Sequence, residues 1–261
     1  MSERLVATLT GPEGAPVVAL GTSIGTHQGL WDPQADVLSR RFRLLRFEFR
    51  GHGPAGAQSL APPGPYTIAE LGTDVLDVLD RYDLDQVAYC GVSLGGMVGM
   101  WLGANAPDRI TRLGLCCTAA HMPPASMWQE RAGTARTAGL AELVGPTTGR
   151  WFTPGFVAQH PERVATVAAM FTGTNPEGYA GCAEAIAAMD QREAIAAITA
   201  PTLVIAGADD PSTPPWQGAV LARTIPGAAL TVVRGAAHLA NYENPGPVTA
   251  ALAAHLAPLL A

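Results

Sequence analysis

The run Val87-Ala88-Tyr89-Cys90-Gly91-Val92-Ser93-Leu94-Gly95-Gly96-Met97-Val98-Gly99-Met100 decides how the rest of the chain is read. Val87 to Cys90 is short, apolar and strand-like, and Met97 to Ala104 continues as a helix that tolerates glycine and alanine. Between them, Gly91-Val92-Ser93-Leu94-Gly95 fits the G-x-S-x-G pattern in the strand–turn–helix setting that the pattern requires. Such a turn strains the serine and packs its backbone closely. The positions two before and two after must be almost without side chain, which Gly91 and Gly95 supply. The N–H groups opening the next helix point at the space above Ser93, where negative charge would be stabilised. Ser93 is the expected nucleophile; a glycine-rich turn that happens to contain serine is the alternative.

The chain has 261 residues, enough for one large α/β domain with an insertion. Hydrophobic residues make up 48% and charged ones 15%, a globular composition rather than a disordered one. A net charge of −6 argues against nucleic acid or an anionic membrane as partner. No apolar run approaches the length of a membrane span, and Met1 to Thr10 lacks the layout of a signal peptide. Cys90, Cys116, Cys117 and Cys182 have neither metal-ligand nor disulfide-framework spacing, and read as reduced core residues of a cytoplasmic protein.

Leu5 to Thr10 and Val17 to Leu20 read as early strands, followed by the small loop Gly21-Thr22-Ser23-Ile24-Gly25-Thr26. Hydrolases built on such a turn take one oxyanion-binding N–H from a loop after the third strand, so Ile24 is the expected donor, paired with Leu94. An ordinary strand–helix turn is the other reading. Arg43 to Phe49 is the next strand, ending at Arg50-Gly51-His52-Gly53. His52 precedes the serine and is expected to brace a loop rather than act as base. Thr67 and Glu70 form a capping box for a helix to about Tyr82, with Ile68, Leu71, Val75, Leu76, Val78 and Leu79 inward and Asp74, Asp77 and Asp80 on a solvated face. Ile110 to Cys117 is the next strand. Alternation of strands and helices predicts a mostly parallel sheet wrapped on both faces.

That rhythm stops between His121 and Ile198. Helical segments follow one another there: Ser126 to Thr137, Leu140 to Trp151, Pro161 to Phe171 and Gly178 to Ala188. A structureless loop of that length is implausible, so residues 121–198 are expected to be a helical cap inserted into a core made of 1–120 and 199–261. Its aromatics, Trp128 and Trp151 among them, are expected mainly to pack the cap, and its arginines to solvate it. The sheet resumes at Thr202 to Ala206, with Asp209 and Asp210 at its C-terminal end; Asp210 is the expected acid and Asp209 the alternative. Leu230 to Val233 is the last strand, and His238 on the following loop is the expected base.

The order Ser93, Asp210, His238 is that of the α/β-hydrolase arrangement. His238 would take the Ser93 proton, and the alkoxide would attack a carbonyl. The Ile24 and Leu94 N–H groups would hold the oxyanion, Asp210 would fix the imidazole, and water would release the acyl group. Neither cofactor nor metal is required.

Beyond these elements the sequence resembles the 3-oxoadipate enol-lactonases of bacterial aromatic catabolism. The resembling runs include Leu30-Trp31-Asp32-Pro33-Gln34, Arg50-Gly51-His52-Gly53, Pro62 to Ile68, Cys90 to Ala106 and Arg150-Trp151-Phe152-Thr153-Pro154. They continue through Glu177 to Cys182, Met189 to Ala194, Ala200 to Gly207 and Asp210 to Pro215, so the cap is included. The resemblance implies hydrolysis of a small carboxylate-bearing lactone. Its carboxylate calls for a guanidinium, for which Arg150 beside Trp151 is the expected residue, with Trp128 also on the substrate. Arg131, Arg136 and Arg192 come next. Phe47-Glu48-Phe49 and Pro54-Ala55-Gly56 depart from the family pattern and are expected near the mouth of the site. No fused decarboxylase domain is expected after Ala261. Competing readings are another ester hydrolase, a perhydrolase-like enzyme, a C–C hydrolase of ring-cleavage products, or a non-turning receptor; oligomeric state is not legible.

Overall fold

A computed structural model describes residues 5–56 and 61–260. A seven-stranded sheet contains β1 (Ala7–Thr10), β2 (Val17–Gly21), β3 (Arg43–Phe47), β4 (Val87–Val92), β5 (Ile110–Cys116), β6 (Thr202–Gly207) and β7 (Ala229–Val233), in the spatial order β1-β3-β2-β4-β5-β6-β7. β1 runs antiparallel to β3, and every other neighbouring pair is parallel. The chain has the α/β-hydrolase architecture, a mostly parallel sheet carrying helices. β4 and β6 are buried along their whole length, as central parallel strands covered on both faces must be.

The helices are α1 (Asp32–Leu38), α2 (Gly53–Gly56), α3 (Ile68–Arg81), α4 (Leu94–Asn105), α5 (Ala125–Ala138), α6 (Ala141–Trp151), α7 (Pro154–Gln159), α8 (Pro161–Thr172), α9 (Pro176–Ala188), α10 (Pro215–Thr224), α11 (Ala240–Glu243) and α12 (Pro245–Leu256). Helix α3 starts on the expected capping box: Glu70 N–H donates to Thr67 Oγ1 at 3.1 Å, and Thr67 N–H donates to Glu70 Oε2 at 2.8 Å.

One face of α3 differs from expectation. Asp77 and Asp80 are exposed, but Asp74 is buried and receives Arg50 Nε at 2.6 Å and Nη2 at 2.8 Å. Arg50 also lies over the Tyr66 ring, 5.0 Å from its centroid. The helix thus turns one aspartate inward to anchor the loop after β3, and a guanidinium beside it satisfies the carboxylate that burial would otherwise penalise.

Five helices, α5 to α9, occupy the chain between β5 and β6. Helix α7 was not expected. Thr153 caps the turn by accepting from Phe156 N–H, and Pro154 takes the first helical position, where its missing N–H costs nothing. Hydrogen bonds join these helices to the sheet side, among them Asn175 N–H to Gly51 O, Tyr66 N–H to Gly181 O, Leu239 N–H to Trp151 O, and Arg163 to Tyr242 O. The four cysteines are buried and unpaired, and burial pushes the Cys90 thiol up to about 12, so it stays protonated. Among the described residues, no helix is long and apolar enough to cross a membrane.

Candidate active site

Ser93 joins β4 to α4 with φ 54° and ψ −114°, a sparsely populated conformation for a residue with a side chain. Holding it there costs on the order of 1–3 kcal/mol, which the surroundings must offset. They do so through the backbone. Ser93 N–H donates to Cys116 O at 3.0 Å, and Thr118 Oγ1 donates to Ser93 O at 2.8 Å. The flanking glycines follow from the same crowding: a Cβ on Gly91 would lie 2.2 Å from Gly95 carbonyl atoms, and one on Gly95 would lie 2.5 Å from Gly21.

The sheet order places this turn. From β2 the chain steps to β3 on one side, then returns to β4 on the other, so the loops after β2 and β4 diverge and open a crevice between them. Ser93 follows β4, and Ile24 follows β2. The loop expected after a third strand therefore follows the second in this chain.

Two further loops converge on Ser93. His238 Nε2 lies 2.9 Å from Ser93 Oγ, and His238 Nδ1 lies 2.8 Å from Asp210 Oδ2. All three residues are buried. Asp210 also accepts from Ser212 N–H at 2.7 Å, from Thr213 N–H at 3.0 Å and from Thr213 Oγ1 at 2.7 Å. Because Thr213 gives its hydroxyl proton to Asp210, the His238 Nδ1–H has the carboxylate as its acceptor, leaving Nε2 to accept from Ser93. Burial opposes ionisation of Asp210, but His238 and the Thr213 donors outweigh it and hold the carboxyl below its usual range. Asp209 is exposed, and its N–H is spent on Ala236 O. Thr213 and Thr118 were not found from the sequence, since nothing in their spacing links them to Asp210 or Ser93.

The N–H groups beside Ile24 and Leu94 are spoken for. Gly25 N–H donates to His52 Nε2 at 2.9 Å, and Gly95 N–H donates to Thr22 O at 2.9 Å. Among the described residues Ile24 and Leu94 show no internal acceptor, and Leu94 opens α4, where none exists within the helix. His52 spans two loops: Nδ1–H points to Arg50 O at 2.9 Å while Nε2 takes the Gly25 N–H. Burial drives its pKa down to about 4, against the opposing pull of the Arg50 carbonyl, so the ring stays neutral as that acceptor role requires.

A cavity of about 210 Å³ lies above Ser93, Ile24 and His238, roofed by α5 and α6 through Trp128, Arg131, Thr147, Arg150 and Trp151. Among the described residues, no carboxylate lines it. The arginines between β5 and β6 divide sharply. Arg136 is neutralised by Glu177 and Glu184, Arg192 by Asp190, and Arg163 stacks on Phe156 and Tyr242. Among the described residues, Arg131 and Arg150 reach the cavity without an acidic partner. Arg150 is exposed, with Nη1 3.9 Å from Met127 Sδ. Arg131 is half-buried and fixed: Nε donates to Tyr179 Oη at 2.8 Å, Nη2 donates to Thr147 Oγ1 at 2.6 Å, and the guanidinium lies 5.8 Å from both the Trp128 and Tyr179 ring centroids.

The departures expected near the mouth lie elsewhere. Phe47, Glu48 and Phe49 are buried, and none lines the cavity. Glu48 sits beneath the loop after β2, accepting from Gln28 N–H, and burial lifts its pKa to about 7. Pro54 is exposed and also absent from the lining; the side chains of Ala55 and Gly56 lie outside the described residues. Among the described residues, no cluster of three or more side chains suited to a metal ion occurs.

The family model described as "alpha/beta hydrolase fold" matches residues 16–245. A curated relative, 3-oxoadipate enol-lactonase 2 of Acinetobacter baylyi, is 37% identical over 235 residues, covering 90% of this chain and 86% of its own. The solved enol-lactonase of Burkholderia xenovorans LB400 is 38% identical with a TM-score of 0.93, over 97% of this chain and 96% of that one. A thermophilic esterase from Thermogutta terrifontis, solved with malate bound, is 27% identical with a TM-score of 0.91, over 98% of this chain and 94% of that one.

Proposed function

The chain belongs to the 3-oxoadipate enol-lactonase family of the α/β-hydrolase fold, enzymes that hydrolyse carboxylic ester bonds, and from that premise we propose that it opens 3-oxoadipate enol-lactone to 3-oxoadipate through an acyl-enzyme on Ser93.

In this reading His238 Nε2 takes the Ser93 hydroxyl proton as Oγ attacks the lactone carbonyl. The Ile24 and Leu94 N–H groups receive the oxyanion, a contribution of about 3–4 kcal/mol per donor. Collapse breaks the bond to the ring oxygen, which takes the proton His238 carries and stays tethered to the acyl group as an enol. An enol oxygen is a better leaving group than an alkoxide, and its tautomerisation to a ketone draws the opening forward. Water, deprotonated by His238, then attacks the acyl-enzyme and frees Ser93. Asp210 holds the imidazole and stabilises its cation. Residues 121–198 act as a cap in this scheme, Trp128 and Trp151 line the substrate's place, and the protein works in the cytoplasm on a small molecule.

The observation that carries the proposal is the unneutralised cation pair in a small, acid-free cavity. Two hydroxyls hold the Arg131 guanidinium over aromatic faces, which supports it as the seat for the substrate carboxylate; Arg150, first choice by sequence, stands at the exposed side. A cavity of about 210 Å³ falls below the ~300–1,000 Å³ usual for drug-sized ligands and suits a lactone of about ten heavy atoms. The malate-bound esterase relative points the same way, toward small carboxylates. The test compares turnover of the enol-lactone with a neutral aryl ester and a dienoic ring-cleavage product, together with mass spectrometry of the quenched enzyme. A kcat/KM for the lactone at least tenfold above both, and a Ser93 adduct, are expected. Preference for either competitor would overturn the substrate assignment.

A further inference from the structure

Among the described residues four carboxylates are buried, at Glu48, Asp74, Asp210 and Glu243. Asp74 has Arg50 and Asp210 has His238, while Glu48 lies beneath the β2 loop. Glu243 has no cation within salt-bridge distance, yet three donors converge on it. Its Oε2 accepts Ala237 N–H at 2.7 Å; its Oε1 accepts Thr153 N–H at 2.8 Å and Thr153 Oγ1–H at 2.5 Å. Burying a carboxylate is costly compared with an apolar contact of the same size, so stability alone is a poor account of it.

Its connections supply a better one. Ala237 immediately precedes His238. Leu239 immediately follows it, and its N–H donates to Trp151 O at 3.1 Å. The peptide N–H groups on both sides of His238 are therefore held by a unit that includes Trp151 and Thr153, at the junction of α6 and α7. Helix α6 is the one that carries Thr147, Arg150 and Trp151 into the cavity roof. We infer that Glu243 is a positioning residue that locks the His238 loop to the cavity roof, so that the base is aligned with Ser93 only while the roof is seated. The inference rests on His238 acting as base, but not on which ester is the substrate. A carboxylate suits the task because all three of its contacts here are donors to it; an amide in its place would turn N–H groups toward one of the donors.

Glu243→Gln tests this in the full-length protein. Turnover of the enol-lactone, or of p-nitrophenyl acetate if the lactone proves not to be the substrate, is expected to lose kcat by about 10–100-fold with KM within about threefold, the pattern of a lost transition-state contribution. Labelling of Ser93 by a small fluorophosphonate, which needs the base but not the lactone, is expected to slow by a similar factor. A lower melting temperature with kcat and labelling rate within twofold of wild type would overturn the inference and make Glu243 a structural buttress. Should Glu243→Gln fail to fold, Thr153→Val and Thr153→Ser decide. Slower labelling in the first, restored in the second, supports the lock; equal rates in both and in wild type refute it. An unreactive lactone with slowed labelling would sink the substrate proposal and leave the lock standing.

Discussion

The loops at the sheet's C-terminal edge and the helices α5 and α6 above them face the same cavity but are built oppositely. On the sheet side polar groups are tied down: Ser93 through Cys116, Thr118 and His238, Asp210 through four donors, His52 between two loops. On the helical side two guanidiniums end in the cavity without acidic partners. The triad side is held in place without a ligand, with the Ile24 and Leu94 N–H groups open, and the other side becomes electrostatically complete when an anion arrives. On the proposed reading, reaction geometry is held by the fold and selectivity by the roof.

The largest effects should come from the sheet side. Ser93→Ala is expected to lower kcat by about 10⁵-fold or more while lactone binding survives, and Asp210→Asn to lower it by about 10³–10⁴-fold through loss of the correct imidazole tautomer. Steady-state turnover with a binding titration of the alanine variant checks both. If Ser93→Ala lost binding as well, the division between the two sides would collapse.

Roof substitutions should act on KM instead. Arg131→Ala is expected to raise KM for the lactone about 10–100-fold, the worth of a fixed hydrogen-bonded charge pair, with kcat changed far less. Arg150→Ala should raise it only about 2–5-fold, since an exposed pair contributes little. A larger effect at Arg150 would reverse the order of the two cations and restore the choice made from sequence.

The smallest effect concerns stability, and it sharpens the comparison beneath the loop after β2. Burial raises Glu48 to about 7 and lowers His52 to about 4. The fold favours protonated Glu48, an advantage complete below pH 4.5 and lost as pH rises through 7. It favours neutral His52, an advantage complete above pH 6.5 and lost as pH falls toward 4. Glu48→Gln should therefore melt about 5–10 °C above wild type at pH 8, with the gap closing by pH 4.5. Thermal melts across that range check it, and a gap independent of pH would mean the carboxyl is not titrating where its burial places it.

What the sequence revealed follows from how local each signal is. The serine turn was readable because strand, glycines, serine and helix lie within fourteen residues, and the capping box of α3 because it spans four. Asp210 and His238 could be named from chain order and from their places after strands, and the structure brings both within hydrogen-bonding distance of the expected neighbours. Asp74 was misread because its partner, Arg50, lies 24 residues back, invisible to a helical wheel. The anchoring of Arg131 was out of view for the same reason: Tyr179 and Thr147, which fix it, lie 48 and 16 residues away. Helix α7 was hidden behind a Pro-Gly pair that also fits a loop.

Gly21, Gly91 and Gly95 touch one another through bare main chain. The serine's aim is consequently set by this main chain together with the Thr118 and Tyr89 hydroxyls, all from the sheet side and none from α5 to α9, so a lineage could exchange its helical canopy without disturbing the turn. New substrates would then be reached by redecorating α5 and α6, with the Trp151–Thr153 junction among the seams at which a transplanted canopy must still fit.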